Sequence, residues 1–520
     1  MARCKHNLGL TCQWLAIHRA CQALGLAVRR ACSKHGRPQL LKPLNRERIL
    51  QARRGTLSWN TSLAGIDRGA LTMLAVLVLA VLLFGGSSRY DVMQNALMQP
   101  LAWLVAGFAL VLAAREQLRQ LKWPLVFLLA LCLITVLQLL PLPYGMWTGL
   151  PGREPLADIA TAIGNDSARP LSMVPSRTFN AAAALGIPLA AFFVIAAIGR
   201  RAVIPVLVAI VALAAANSAL AFLQFASGFA EATYPYAVTN LGEPVGIFAN
   251  RNHSAVFNAL ALLVIAFLAT RAERRQFAGA DVLLWATYGL IFLTIPMNGS
   301  RAGLLCTGIA TAATAWLVYR AGKVAQAAPG AKSQHGLARM LPAAVILIFA
   351  VGMLGLFMFS DRLVAFERTV ESNPLEDLRF KILPILGDMI TGYFPLGIGF
   401  GAFEDVYRIH ETGDLLRPNY LNMAHNDWLQ WLIEAGLPGI VLLLGFLGWL
   451  AWHLRRLKKL DEGFFVLGLA GAAIIAIASY FDYPLRTPIF QVAGVWFVCA
   501  LALKGTTRRA ESDGMTGNFD

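Results

Sequence analysis

A chain of 520 residues that is 57% hydrophobic and 14% charged, with mean hydropathy +0.59, lacks the composition of a soluble domain and has that of a polytopic membrane protein. Its net charge of +16 would point to nucleic acid if spread over a soluble surface, but residues 1–68 hold 13 Lys and Arg against Glu47 and Asp67, so +11 of it lies in one tail. The seven cysteines have no metal-ligand spacing and imply neither a zinc site nor a disulfide framework, so no metal, cofactor or nucleic-acid partner is expected.

Residues 1–68 read as a basic cytoplasmic tail, partly disordered or resting amphipathic helices on anionic lipid; a start at Met73 is the competing reading. Apolar spans follow near Gly69–Phe84, Ala96–Ala114, Trp123–Leu140, Phe179–Ile198, Ala202–Ala226 and His253–Thr270. Six more lie near Val282–Pro296, Ala302–Tyr319, Met340–Phe359, Ala435–His453, Phe464–Tyr480 and Ile489–Leu503. Most approach the ~20 residues that carry a helix across a bilayer. The expected fold is therefore all-α and polytopic, with about twelve transmembrane helices.

Alternate connections carry the basic residues: Arg115/Arg119/Lys122, Arg200/Arg201, Arg271/Arg274/Arg275, Arg320/Lys323/Lys332/Arg339, Arg455/Arg456/Lys458/Lys459 and Lys504/Arg508/Arg509. With twelve spans and both termini inside, all six face the cytoplasm, as the positive-inside rule requires. Two outer segments are long. Pro141–Thr178 is rich in Pro and Gly. Ser360–Glu434, between the ninth and tenth spans, holds twelve Asp and Glu against six Lys and Arg and is too long for a connector. Its helical pieces Leu375–Thr391 and Ala402–Thr412 flank the glycine-rich PLGIGFGAF, Pro395–Phe403. The expected organisation is a tail at 1–68, helices one to nine at 69–359, an outer cap at 360–434, helices ten to twelve at 435–503 and a short cytoplasmic tail at 504–520.

Polar clusters gather where spans meet the outer face. GIFANRNHSA opens the sixth span; helix capping explains Asn250 or Ser254, but Arg251 opposes the positive end of a helix unless an anion binds there. In PMNGSRAGLL, Arg301 stands between Gly299 and Gly303, which let a ligand approach the backbone; lipid snorkelling is the plainer reading. Arg379 lies in the acidic loop, where an ion pair with Glu376, Asp377 or Asp388 competes with substrate contact. SYFDYPLRTPIF carries Asp482 and Arg486, which are positioned to pair with each other.

The densest cluster is Ala424–Ile440, AHNDWLQWLIEAGLPGI, with His425, Asn426, Asp427 and Glu434 at a helix mouth. A hydrogen-bonded loop histidine and solvated carboxylates are the plain interpretation. A histidine beside several outward arginines, with no metal-ligand set, suits displacement of an anionic leaving group: His425 takes the nucleophile's proton and arginines hold phosphate.

These motifs, in this order and on this topology, resemble the O-antigen ligase and Wzy-type polymerase superfamily. The resemblance rests on GIFANRNHSA, GSRAGLL, DLR followed by PLGIGFGAF, AHNDWLQWLIEAGLPG and SYFDYPLRTP, and spans about residues 70–503. It implies a metal-independent glycosyltransferase of the helical GT-C type in the bacterial inner membrane, with a periplasmic active site. The implied donor is a glycan on undecaprenyl diphosphate, and the acceptor is lipid A–core or a second lipid-linked glycan. His425 takes the role of the family's periplasmic-loop histidine and Arg301 that of the GSR arginine. Arg251 departs from the apolar or Pro residue usual between Asn250 and Asn252, while Arg379 and Arg486 join as further diphosphate contacts. Asn250, Asn252, Asn426, Asp427, Glu434 and Asp482 are supporting residues. The resemblance favours a ligase, with O-antigen or exopolysaccharide polymerase as the alternative and a polytopic transporter or lipid flippase as the reading of another class.

Overall fold

The computed structural model describes residues 66–271, 280–326, 381–413, 415–416 and 421–505. The expected basic tail to residue 65, the ninth span at Met340–Phe359 and Arg379 lie outside the described residues. The described residues are almost wholly helical, and eight of their helical stretches are long and apolar enough to cross a membrane.

The first half runs through α1 (Arg68–Phe84), α2 (Met93–Leu112), α3 (Arg115–Gln120) and α4 (Lys122–Leu137). The outer segment after it pairs β1 (Pro141–Leu142) with β2 (Arg169–Pro170), antiparallel, around the short α5 (Tyr144–Thr148) and α6 (Glu154–Ala162). The stretch Pro175–Ala226 then contains α7 (Pro175–Ala184), α8 (Gly186–Ile198) and α9 (Val203–Ala226). Gly199, at φ 73°, ends α8, and the 3-10 turn Gly199–Ala202 exposes Arg200 and Arg201 between two expected spans.

α10 (Arg251–Ala269) is the centre of the bundle, buried continuously from His253 to Leu268. A helix apolar on every side must be surrounded, and α10 packs against α9, α11 (Ala280–Met297), α12 (Arg301–Gln326) and α16 (Glu462–Phe481). A Cβ on Gly303 would collide with that of Ala255, so glycine is what lets α12 lie directly on α10. Polar groups within this core satisfy one another. Asn217 donates to Ser254 (2.9 Å) and Asn258 (3.0 Å), and Asn258 donates to Thr294 (2.9 Å) and Ser218 (3.2 Å). An unpaired amide at that depth would cost several kcal/mol, so the closed network ties α9, α10 and α11 in one register.

α15 (Asp427–Leu460) begins eight residues before the expected span at Ala435 and is broken inside it. Gly436 adopts φ 54° and ψ −142°, which releases the carbonyls of Ile433 and Glu434 from helical bonding. The glycine-rich turn supplies their partners: Ile398 N–H donates to Ile433 and Gly399 N–H to Glu434, each at 3.0 Å. Leu437 N–H in turn donates to the Pro395 carbonyl at 2.7 Å. The two glycine motifs thus meet backbone to backbone.

Around this joint α13 (Leu383–Gly392) and α14 (Phe403–His410) form a second small core with Ile398 and Ile433. The described parts of the two long connecting segments belong to one layer. Arg153, 1% exposed, donates to the carbonyls of Leu171 (2.9 Å) and Gly397 (3.1 Å), and Arg177 pairs with Asp405 at 2.6 Å. Burial pulls the Arg153 guanidinium down to about 10, still cationic at neutral pH.

The opposite end of the bundle holds a separate set of ion pairs. Asp461, capping α16, receives Lys504 (3.2 Å) from α17 (Pro488–Gly505) and Arg271 (3.7 Å), while Glu462 pairs with Arg320 (2.7 Å).

Candidate active site

His425, Asn426 and Asp427 form the entry to α15. Asn426 is its N-cap, the side-chain oxygen accepting from Leu429 N–H at 3.0 Å. His425 just before it has φ 50°, a conformation that L-residues rarely hold outside functional turns. This backbone turns the imidazole toward the loop after α16. There His425 Nδ1 lies 3.3 Å from Asp482 Oδ1, and its ring packs on Tyr483 with centroids 5.0 Å apart. His425 retains 22% side-chain exposure, whereas Asp482 is 3% exposed.

Asp482 connects three elements. Its Oδ2 accepts from Asn252 (2.7 Å) and Asn250 (3.3 Å) at the start of α10, and its main-chain carbonyl accepts from Asp427 N–H (3.3 Å). His253, buried one residue further along α10, lies 3.9 Å from Asp482 Oδ1 and contacts Thr487 Oγ1 through Nδ1 at 3.0 Å. A carboxylate fixed by two amides holds its orientation without relying on the histidine. When it accepts a hydrogen bond from Nδ1–H, Nε2 is left with the basic lone pair.

Arg486 does not pair with Asp482, as their closeness in sequence predicts. Its Nε donates to Asp427 (3.1 Å) and its Nη1 to Glu434 (3.1 and 3.4 Å). Glu434, fully buried, also accepts from Gln430 at 3.0 Å, while Asp427 keeps 12% side-chain exposure. Burial alone would lower the arginine's pKa, but Glu434 and then Asp427 outweigh it and hold it above the ordinary value. This triad braces the first turn of α15 against the loop at Tyr483–Thr487, with two carboxyl groups on one guanidinium.

Arg251 and Arg301 open adjacent helices. Arg251 reaches Glu243 at 3.2 Å. Arg301 is exposed at the first turn of α12, directly after Ser300. Ser300 Oγ accepts from Gly303 N–H (3.0 Å) and donates to Asn252 Oδ1 (2.8 Å). The start of α12 is thus linked through Asn252 to the carboxylate beside His425, and two helix N-termini with their partial positive charge converge there.

Of the expected site residues, His425, Asn426, Asp427, Glu434, Asn250, Asn252, Asp482 and Arg486 come together in one hydrogen-bonded assembly, with Arg251 and Arg301 at its edge. Sequence reasoning passed over His253, Tyr483, Ser300 and Gln430, although all four stand inside the quoted motifs. Only the fold reveals that they face inward.

Residues 286–444 match a family described as O-Antigen ligase, a range that contains Arg301, His425 and Glu434 and stops short of Asp482 and Arg486. No curated protein matches the chain. Residues 286–444 thus carry the similarity to the O-antigen ligase family, and their setting among helices of membrane-spanning length supports the resemblance to the O-antigen ligase and Wzy-type polymerase superfamily.

Proposed function

We propose that this protein is an O-antigen ligase that transfers a glycan from undecaprenyl diphosphate to a hydroxyl of lipid A–core at the periplasmic face of the inner membrane. Twelve spans with both termini in the cytoplasm set the basic end inside, and the positive-inside rule then turns the His425 end outward. The observation that carries the reading is the His425–Asp482 pair beside exposed Arg301.

His425 Nε2 takes the proton of the acceptor hydroxyl as its oxygen bonds to the anomeric carbon. The bond from that carbon to the diphosphate breaks, and the electron pair leaves on undecaprenyl diphosphate. The leaving group carries its charge without protonation, so cationic and N–H donors stabilise it and the reaction proceeds without a metal ion. Arg301 is the principal diphosphate contact. Arg486 is committed to two carboxylates and Arg251 to Glu243, which makes both of them supports for the site. Arg379 stays a candidate from the acidic loop. The concentration of site charges at one end supports an enzyme over a transporter, whose charges gather near the bilayer midplane.

Deletion in the native host tests ligase against polymerase. The expected result is rough lipopolysaccharide with lipid-linked polymer accumulating. Single capped repeats would make the protein a polymerase, and an unchanged surface glycan would remove it from this pathway.

A further inference from the structure

At the end of the bundle far from His425 lies a cavity of about 630 Å³, within the roughly 300–1,000 Å³ typical of small-ligand sites. Four cationic side chains from four separate elements line it: Arg119 at the end of α3, Lys122 opening α4, Arg200 from the 3-10 turn and Arg456 from the last turns of α15. Glu116 is the only carboxylate among the lining residues, and its Oε1 already accepts from Gln120, which in turn accepts from Arg200 Nε at 3.0 Å. Like charges converging with so little compensation repel one another unless an anion sits between them.

Apolar groups decide which anion. Lys122 lies 5.4 Å from the Trp123 ring and Arg456 5.9 Å from the Trp452 ring, the belt of aromatics and cations that marks a headgroup level. The two packed helices that supply Lys122 and Arg456 also present a stripe of exposed apolar side chains. Val126, Leu129 and Leu133 of α4 are each about half exposed, as are Val441 and Leu444 of α15. A free anion would leave this stripe unused, whereas a diacyl lipid would cover it.

We propose that this cavity binds the phosphate of an anionic phospholipid, its acyl chains lying along α4 and α15. The site is separated from His425 by roughly 40 Å of α15 at 1.5 Å per residue, and it does not depend on the glycosyl-transfer reading.

The test is lipid retention by the purified full chain in nanodiscs of equal phosphatidylglycerol and phosphatidylcholine, read by mass spectrometry. With four cations facing one headgroup, phosphatidylglycerol should be enriched on the protein about tenfold or more. The double variant Arg119→Gln/Arg456→Gln, which keeps Lys122 and Arg200, should lose at least about fivefold of that enrichment, while Arg119→Lys/Arg456→Lys, with the charges kept, retains most of it. Arg320→Gln, a cation outside the cavity, should leave the preference intact. Equal retention of both lipids by the native chain, or full preference in the glutamine variant, would overturn the proposal. So would displacement of the bound lipid by millimolar inorganic phosphate alone, which assigns the cavity to a free anion.

Discussion

His425 occupies a left-handed backbone position that costs a non-glycine residue about 1 kcal/mol or more, and the turn keeps that cost while placing the ring against Asp482. The arginines differ in what surrounds them. Arg486 faces two carboxylates, whereas Arg301 is exposed at a helix start. Arg301→Lys should therefore raise the KM for lipid-linked donor about tenfold, because an ammonium cannot bind a diphosphate in the two-pronged way of a guanidinium. Unchanged donor dependence would take Arg301 out of the site. At this scale the local stretch around His425 was readable from its spacing. The partners of Arg486 were not, since Asp427 and Glu434 stand 59 and 52 residues away and only the helical fold brings them near. Proximity in sequence favoured Asp482, four residues back, and proximity misled.

α15 and the PLGIGFGAF turn depend on each other. The break at Gly436 frees two carbonyls, and the turn fills them with the N–H groups of Ile398 and Gly399. A side chain at Gly436 would meet both an unfavourable φ of 54° and the Pro395 carbonyl. Gly436→Ala should cost about 2 kcal/mol or more, visible as a lowered Tm in detergent and as reduced transfer from a displaced first turn of α15. A variant with native Tm and native activity would contradict the joint. The sequence places Glu434 where the chain bends, because glycine and proline cluster after it. It does not reveal that the helix already begins at Asp427, since Asp427, Gln430 and Glu434 interrupt the apolar run on that side of the glycines.

The whole molecule is organised by the difference between its ends. Asp461 and Glu462 gather Lys504, Arg271 and Arg320 at one end, and Asp482 gathers His425, Asn250 and Asn252 at the other. The all-helical architecture and most spans were legible because long apolar runs have few alternatives in a membrane. The basic cavity was not legible, because Arg119, Lys122, Arg200 and Arg456 look like ordinary positive-inside residues until the packing of α3, α4 and α15 brings them around one space.

We propose His425 as the base of a glycosyl transfer at the end of the bundle that holds Asp482. The most direct measurement is transfer in vitro by purified protein, with an undecaprenyl diphosphate-linked glycan as donor and lipid A–core as acceptor. The native protein should form the glycosylated acceptor and release undecaprenyl diphosphate. His425→Ala, reconstituted with the same helicity and size, should lose at least about a hundredfold in rate while still binding donor. Transfer by His425→Ala at the native rate would contradict the account.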